Sequence, residues 1–315
     1  MNGSSPEAGF EDRARRPRRA GYGACVRDGS AGRLALPRKC GLRTIGILCA
    51  LVGITFAHAA ENEAVAALIA RGQAAHDKRC LNDASGFYRE ALALDPPGVA
   101  SPETMALVLK FAPRLHTVAG EFFPLKDIVA IVHPEQPVIG YHLFWDDDID
   151  FPADNEPADH EIVWVEYDPT SHAVTKISTY LHGYIPHGEG APAEANAHGG
   201  RPWIGVEWGK HGSLPWGAAG GAEGADKVLR HNWANLHDTG RRNQEHPLAR
   251  GWPLKFSGDF EAYTNFSVSV DPRPLLEERR HVLVSRWPNA VINQHCLRYN
   301  FAPKTEWPWS AQVRR

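Results

Sequence analysis

Two carboxylates two residues apart, Asp159 and Glu161, lead into the apolar run Ile162-Val163-Trp164-Val165. In an extended chain, residues i and i+2 project from one face, so both acids share a side with Val163 and Val165 at the mouth of a core. Around them the sequence is one-sided in charge. Between Lys126 and Lys176 there is no lysine or arginine, yet Asp146, Asp147, Asp148, Asp150, Asp154, Glu156, Asp159, Glu161, Glu166 and Asp168 all fall there. A carboxylate that leaves water must gain a partner or lose its charge. With no base close in sequence, a bound cation is the expected partner. Oxygen-rich sets with an occasional imidazole suit calcium, magnesium or manganese better than zinc. The bland reading is a solvated acidic loop.

Two histidines stand where an imidazole could join the acids. His182-Gly183 and His211-Gly212 each follow an extended run and precede a glycine. A neutral imidazole there can ligate a metal or act as a general base, and it can equally be a hydrogen-bonded structural group. His182 and His211 are therefore the catalytic candidates. Other chemistry is missing from the sequence: the glycine cluster Gly217 to Gly224 lacks a following Lys-Ser/Thr, and no His-Glu-x-x-His occurs.

These residues need a scaffold, and the periodicity supplies one. Short apolar or alternating runs at Ile128–Val132, Val138–Trp145, Glu161–Tyr167, Val174–Leu181, Trp203–Trp208, Thr264–Val270 and Val282–Trp287 are divided by Pro, Gly and Asn. The pattern predicts a mainly β domain over 109–315, an antiparallel β-sandwich, with Gly224 to Leu236 as a helical insertion. Upstream, apolar residues recur at three and four between Glu61 and Pro96, with the turn at Asn82 or Asp83. That makes 60–108 an α-helical hairpin packed on the β domain.

Residues 1–59 read as a disordered extension followed by a secretory signal peptide. Arg38-Lys39 and Arg43 precede the apolar run Ile45 to Phe56 and then Ala57-His58-Ala59. Translation is expected to start at a non-Met codon in the 20s to 40s. Of 34 basic and 37 acidic residues, ten and four precede residue 60, so the remainder carries nine more acids than bases. That balance speaks against nucleic acid and anionic lipid surfaces as partners. The apolar run is too short for a comfortable membrane span, so the mature chain is expected to have no transmembrane segment and to be periplasmic or secreted. Cys80 and Cys296 are then the two remaining thiols, a pair that could bridge the helices to the last strands.

Gly72, Ala84, Tyr88, Ala91 and Pro96 sit at offsets that resemble one tetratricopeptide repeat. Further on, Phe111-Ala112-Pro113-Arg114-Leu115, Glu121-Phe122-Phe123-Pro124, Tyr141-His142-Leu143-Phe144-Trp145, Asp159-His160-Glu161 and Trp203 to His211 resemble, over about residues 110 to 215, the vacuolar protein sorting-associated protein 62 family. More distantly the chain is similar to the necrosis- and ethylene-inducing cytolysins. In those, an Asp-Trp-Glu core preceded by His-Arg-His and an earlier Asp binds a divalent cation. The resemblance implies metal ligands at Asp148, Glu156, Asp159, Glu161 and His182. His160 replaces the Trp, and Glu156-Pro157-Ala158 replaces the His-Arg-His, which puts lysis in doubt.

The sequence thus supports a cation-dependent binding module for a glycan or lipid headgroup, a metal-assisted hydrolase on the same acids, or a structural domain stapled by calcium. Oligomeric state is left open.

Overall fold

The computed structural model describes residues 48–151, 158–215, 225–296 and 303–313, with side chains from residue 62 onward. Glu156 and the glycine cluster lie outside the described residues.

The strands are β1 Gly98–Val99, β2 Arg114–Thr117, β3 Leu125–Val132, β4 Val138–Trp145, β5 His160–Tyr167, β6 Val174–Thr179, β7 Trp203–Val206, β8 Ser213–Pro215, β9 Val268–Val270 and β10 Val282–Val284. The helices are α1 Leu48–Asp77, α2 Leu81–Leu94, α3 Pro102–Phe111, α4 Ala191–Ala197, α5 Ala225–Gln244, α6 Phe260–Tyr263, α7 Arg273–Arg279 and α8 Pro288–Val291. One sheet has the order β1-β10-β3-β4-β5-β6 and the other β8-β7-β2-β9.

β4 is central in the larger sheet, and all eight of its residues are buried. A strand covered on both faces reads as a continuous apolar run, which is why its bounds are the same in sequence and structure. Ile139, Tyr141, Leu143 and Trp145 face a core shared with Leu115, Ile204 and Val206 of the smaller sheet and with Phe111 of α3. Val138 and Phe144, together with Ile162 and Trp164 of β5, face a second core closed by α1, α2 and α8. The order across the molecule is helical hairpin, larger sheet, smaller sheet.

The hairpin follows a small-against-large rule. Gly72 of α1 lies under the Tyr88 ring of α2, where a Cβ would come within 2.5 Å of Cε1. Its turn is Lys78 to Cys80 rather than Asn82 or Asp83, because Arg79 takes the left-handed conformation (φ 57°) that reverses the chain.

Several expectations are corrected. The sheets are mixed, not antiparallel: β10 runs parallel to β3, and β2 runs parallel to β7. Runs that look alike from their apolar pattern do not disclose strand direction. Among the described residues helix outweighs strand, chiefly because α1 and α5 run for 30 and 20 residues. Thr264–Val270 and Val282–Trp287 shrink to three-residue strands. Cys296 carries a free thiol while Cys80 is disulfide-bonded, so these two do not pair.

Candidate functional site: a buried network of acids and distant bases

Asp159 immediately precedes β5, and Glu161 is its second residue. Glu161 shares the side of β5 with Val163 and Val165, and the Asp159 charge two residues earlier pushes its pKa upward. Each acid holds a base from far along the chain. His211 Nδ1 pairs with Asp159 Oδ2 at 2.8 Å. Lys304 Nζ donates to Glu161 Oε1 at 2.7 Å. A bound cation is the expected partner because no base is close in sequence; in the structure folding brings a distant histidine and a distant lysine to these acids instead.

His211 sits in the loop between β7 and β8 with φ 53°, a left-handed turn that aims its ring inward. The imidazole is fully buried and stacks on the Trp145 indole, 4.3 Å between centroids and 5° from parallel. Glu121 Oε1 lies 3.4 Å from Nε2, while that carboxylate accepts the N–H groups of Phe122, Phe123 and Gly209. Burial opposes the imidazolium, but Glu121 and Asp159 outweigh it, and the His211 pKa rises to about 10.

His182 is built differently. His182 and Gly183 form a two-residue turn, with reciprocal Leu181 and Tyr184 backbone hydrogen bonds of 2.9 and 2.8 Å and φ of 46° and 90°. That turn presents the ring to Glu207, whose Oε2 is 2.5 Å from Nε2. Glu207 is fully buried and also accepts from Tyr263 Oη at 2.7 Å and Asn232 Nδ2 at 2.9 Å. Burial again works against the charge on His182, and the Glu207 hydrogen bond raises its pKa above the ordinary value. Gly212 permits this packing, since a Cβ there would meet Leu181 at 2.6 Å and Glu207 Oε2 at 2.9 Å.

Asp148 is buried in the loop after β4. Its Oδ1 accepts the Asp150 N–H, and Lys210 lies 3.9 Å from its Oδ2 while pairing with Asp150. Burial lowers the Lys210 pKa. Lys304 interacts electrostatically with Asp159, Glu161, His182 and Lys210, and Lys210 in turn with Asp148. His160 turns to the opposite face of β5 and pairs with His142 at 3.0 Å.

Six carboxylates (Glu121, Asp148, Asp150, Asp159, Glu161, Glu207) here meet four bases (His182, Lys210, His211, Lys304). Among these ten side chains, His211 Nε2 and Glu161 Oε2 are buried without a hydrogen bond, and His211 Nε2 has Glu121 at 3.4 Å. Glu161 is 3% exposed, and its Oε2 is buried with no hydrogen-bond partner. Burial drives the Glu161 pKa to about 8, with Lys304 pulling the other way. Among the described residues no group of three or more His, Cys, Asp or Glu side chains is assembled around a metal position. A cation would find one free carboxylate oxygen here, with Asp159 beside it. Glu121, Phe123 and Trp145 also line a cleft of about 340 Å³ between the sheets.

Glu121, Glu207, Lys210, Lys304, Asn232 and Tyr263 were not singled out from the sequence. Glu207 had the same signal as Asp159 and Glu161, an acid at the end of an apolar run, Trp203 to Trp208. Lys304 had none.

No family model matches the chain and no curated protein matches it, so the resemblance to the vacuolar protein sorting-associated protein 62 family finds no support. Among solved structures the chain is similar to Necrosis and Ethylene inducing Protein 2 from the causal agent of cocoa's Witches Broom disease. The identity is 17%, the TM-score 0.26, and the match covers 44% of this chain and 84% of that one. A likeness of that size carries no argument about fold or site. No helix among the described residues is long and apolar enough to cross a membrane.

Proposed function

We propose that this is an exported binding module, a β-sandwich with a helical hairpin on one face, whose acidic pocket takes calcium, magnesium or manganese and through it a glycan or lipid headgroup. The observation that carries the reading is Glu161 Oε2, a buried carboxyl oxygen without a hydrogen bond at the head of β5; with its pKa raised to about 8, a bound cation would expel the proton and use that oxygen. A hard cation bound by Glu161 and Asp159, with Asp148 and His182 nearby, would use that oxygen. Export is supported by the order of basic, apolar and small residues before residue 60 and by the acidic remainder.

Thermal melting of the purified chain with calcium, with manganese and with chelator tests the cation. An upward shift in wild type that disappears in Glu161→Gln is the expected result, and identical melts in all conditions reject it. A glycan and lipid array run with calcium and then with chelator identifies the ligand class. Retention that ignores the chelator removes the cation's bridging role.

A second reading, a metal-assisted hydrolase, is favoured by the His182–Glu207 pair. A carboxylate that fixes one ring nitrogen is how an imidazole is oriented for proton transfer. Turnover of ester or phosphoester probes that is lost in His182→Gln while cation binding persists would decide for it. A stapling cation remains the outcome if melting responds to metal and no ligand is found.

A further inference from the structure

We propose that Lys304 is the resident counter-ion of the acidic pocket and that an incoming divalent cation must displace its ammonium from Glu161. The inference rests on the cation reading and specifies how that site is controlled.

The pairing is deep: the Lys304 and Glu161 side chains are 9% and 4% exposed. The ammonium also lies 4.5 Å from the centre of the Tyr180 ring, a cation–π position. Its charge meets both Asp159 and Glu161. Lys304 therefore occupies electrostatically the place that the acids offer to a metal. Its hold on them is incomplete, because it takes Oε1 and leaves Oε2 unpartnered. A dication on Oε2 would stand one carboxylate's width from the ammonium, in a site where water does not screen the repulsion. The two cannot share Glu161.

The local backbone is anchored on several sides. Asn289 Nδ2 donates to the Lys304 carbonyl at 2.7 Å, and the Asn289 N–H donates to Glu306 Oε2 at 3.0 Å. Glu306 Oε1 accepts from Gln73 of α1 at 2.9 Å, and Trp307 Nε1 donates to the Arg286 carbonyl at 2.8 Å. The strap 303–313 is thus tied to the hairpin and to α8, so displacement of the ammonium would fall to rotation of the four-carbon lysine stem. Among the described residues no three-ligand group stands assembled, as expected where a lysine fills the position from within.

Calorimetric titration of calcium and of manganese into full-length wild type, Lys304→Met and Glu161→Gln tests this. Methionine keeps an apolar stem against Tyr180 and removes the charge. Lys304→Met is expected to bind at least tenfold more tightly than wild type and Glu161→Gln not at all. Equal or weaker binding by Lys304→Met, with wild type binding, overturns the displacement and leaves the cation reading standing. No binding by either protein overturns both. Should Lys304→Met fail to fold, amine labelling of wild type read by mass spectrometry serves instead. Lys304 should be protected in chelator and labelled several-fold faster in calcium, and an unchanged rate overturns the proposal.

Discussion

His211 Nδ1 and Asp159 Oδ2 meet at 2.8 Å across 52 residues of sequence, and the His211 ring lies flat on Trp145. The pair closes the end of the larger sheet against the loop between β7 and β8. It also makes the fold sensitive to alkali.

His211 has a pKa of about 10 in the folded chain against an ordinary 6.5. Stability from its charged form is complete below about pH 6.5 and is lost as pH rises through 10. Glu161, raised to about 8 from 4.5, works in the same direction over a lower window, because the folded state holds its proton longer than the unfolded chain does. The melting temperature should therefore fall steadily from pH 7 to 10. His211→Gln should flatten the upper part of that slope, and an unchanged slope would reject His211 as the responsible group.

Asp159→Asn removes one of the two carboxylates that keep His211 charged. The imidazole pKa, followed by NMR, should drop, since burial then meets less opposition. A cost of about 1–3 kcal/mol is expected at neutral pH, the usual size for a weakened buried hydrogen bond to a charged group. A His211 pKa that stays near 10 would mean that Glu121 alone suffices.

Tyr263 donates to the fully buried Glu207 at 2.7 Å, and burial beside that carboxylate pushes the phenol far above its ordinary pKa. Tyr263→Phe keeps the ring and removes the donor. It should cost about 1.5–3 kcal/mol in urea unfolding and loosen the His182–Glu207 pair. A neutral change would indicate that water replaces the hydroxyl at no cost.

Gly72→Ala sets two effects against each other. Alanine gains about 1 kcal/mol of helix propensity over glycine, but its Cβ would fall 2.5 Å from the Tyr88 ring. Overpacking of that kind costs about 1–3 kcal/mol, so a net loss is expected, and Tyr88→Ala should cost about 3–5 kcal/mol by emptying the fully buried site. A gain from Gly72→Ala would show that the hairpin repacks.

The apolar run Val138 to Trp145 was legible because it is written in neighbouring residues, one strand buried on both faces. Of the acids between Lys126 and Lys176, Asp159 and Glu161 meet bases from far along the chain. What answers them depends on which distant loops and termini arrive there, and hydrophobic periodicity holds no record of that. Lys304 reaches Glu161 across 143 residues, His211 reaches Asp159 across 52, and the parallel pairing of β10 with β3 helps bring the last segment back over the sheet. The sequence by itself determined that carboxylates would leave water at the head of β5, because strand alternation is local. Tertiary structure alone decided which charges meet them, because electrostatic pairing acts through space and is indifferent to separation along the chain.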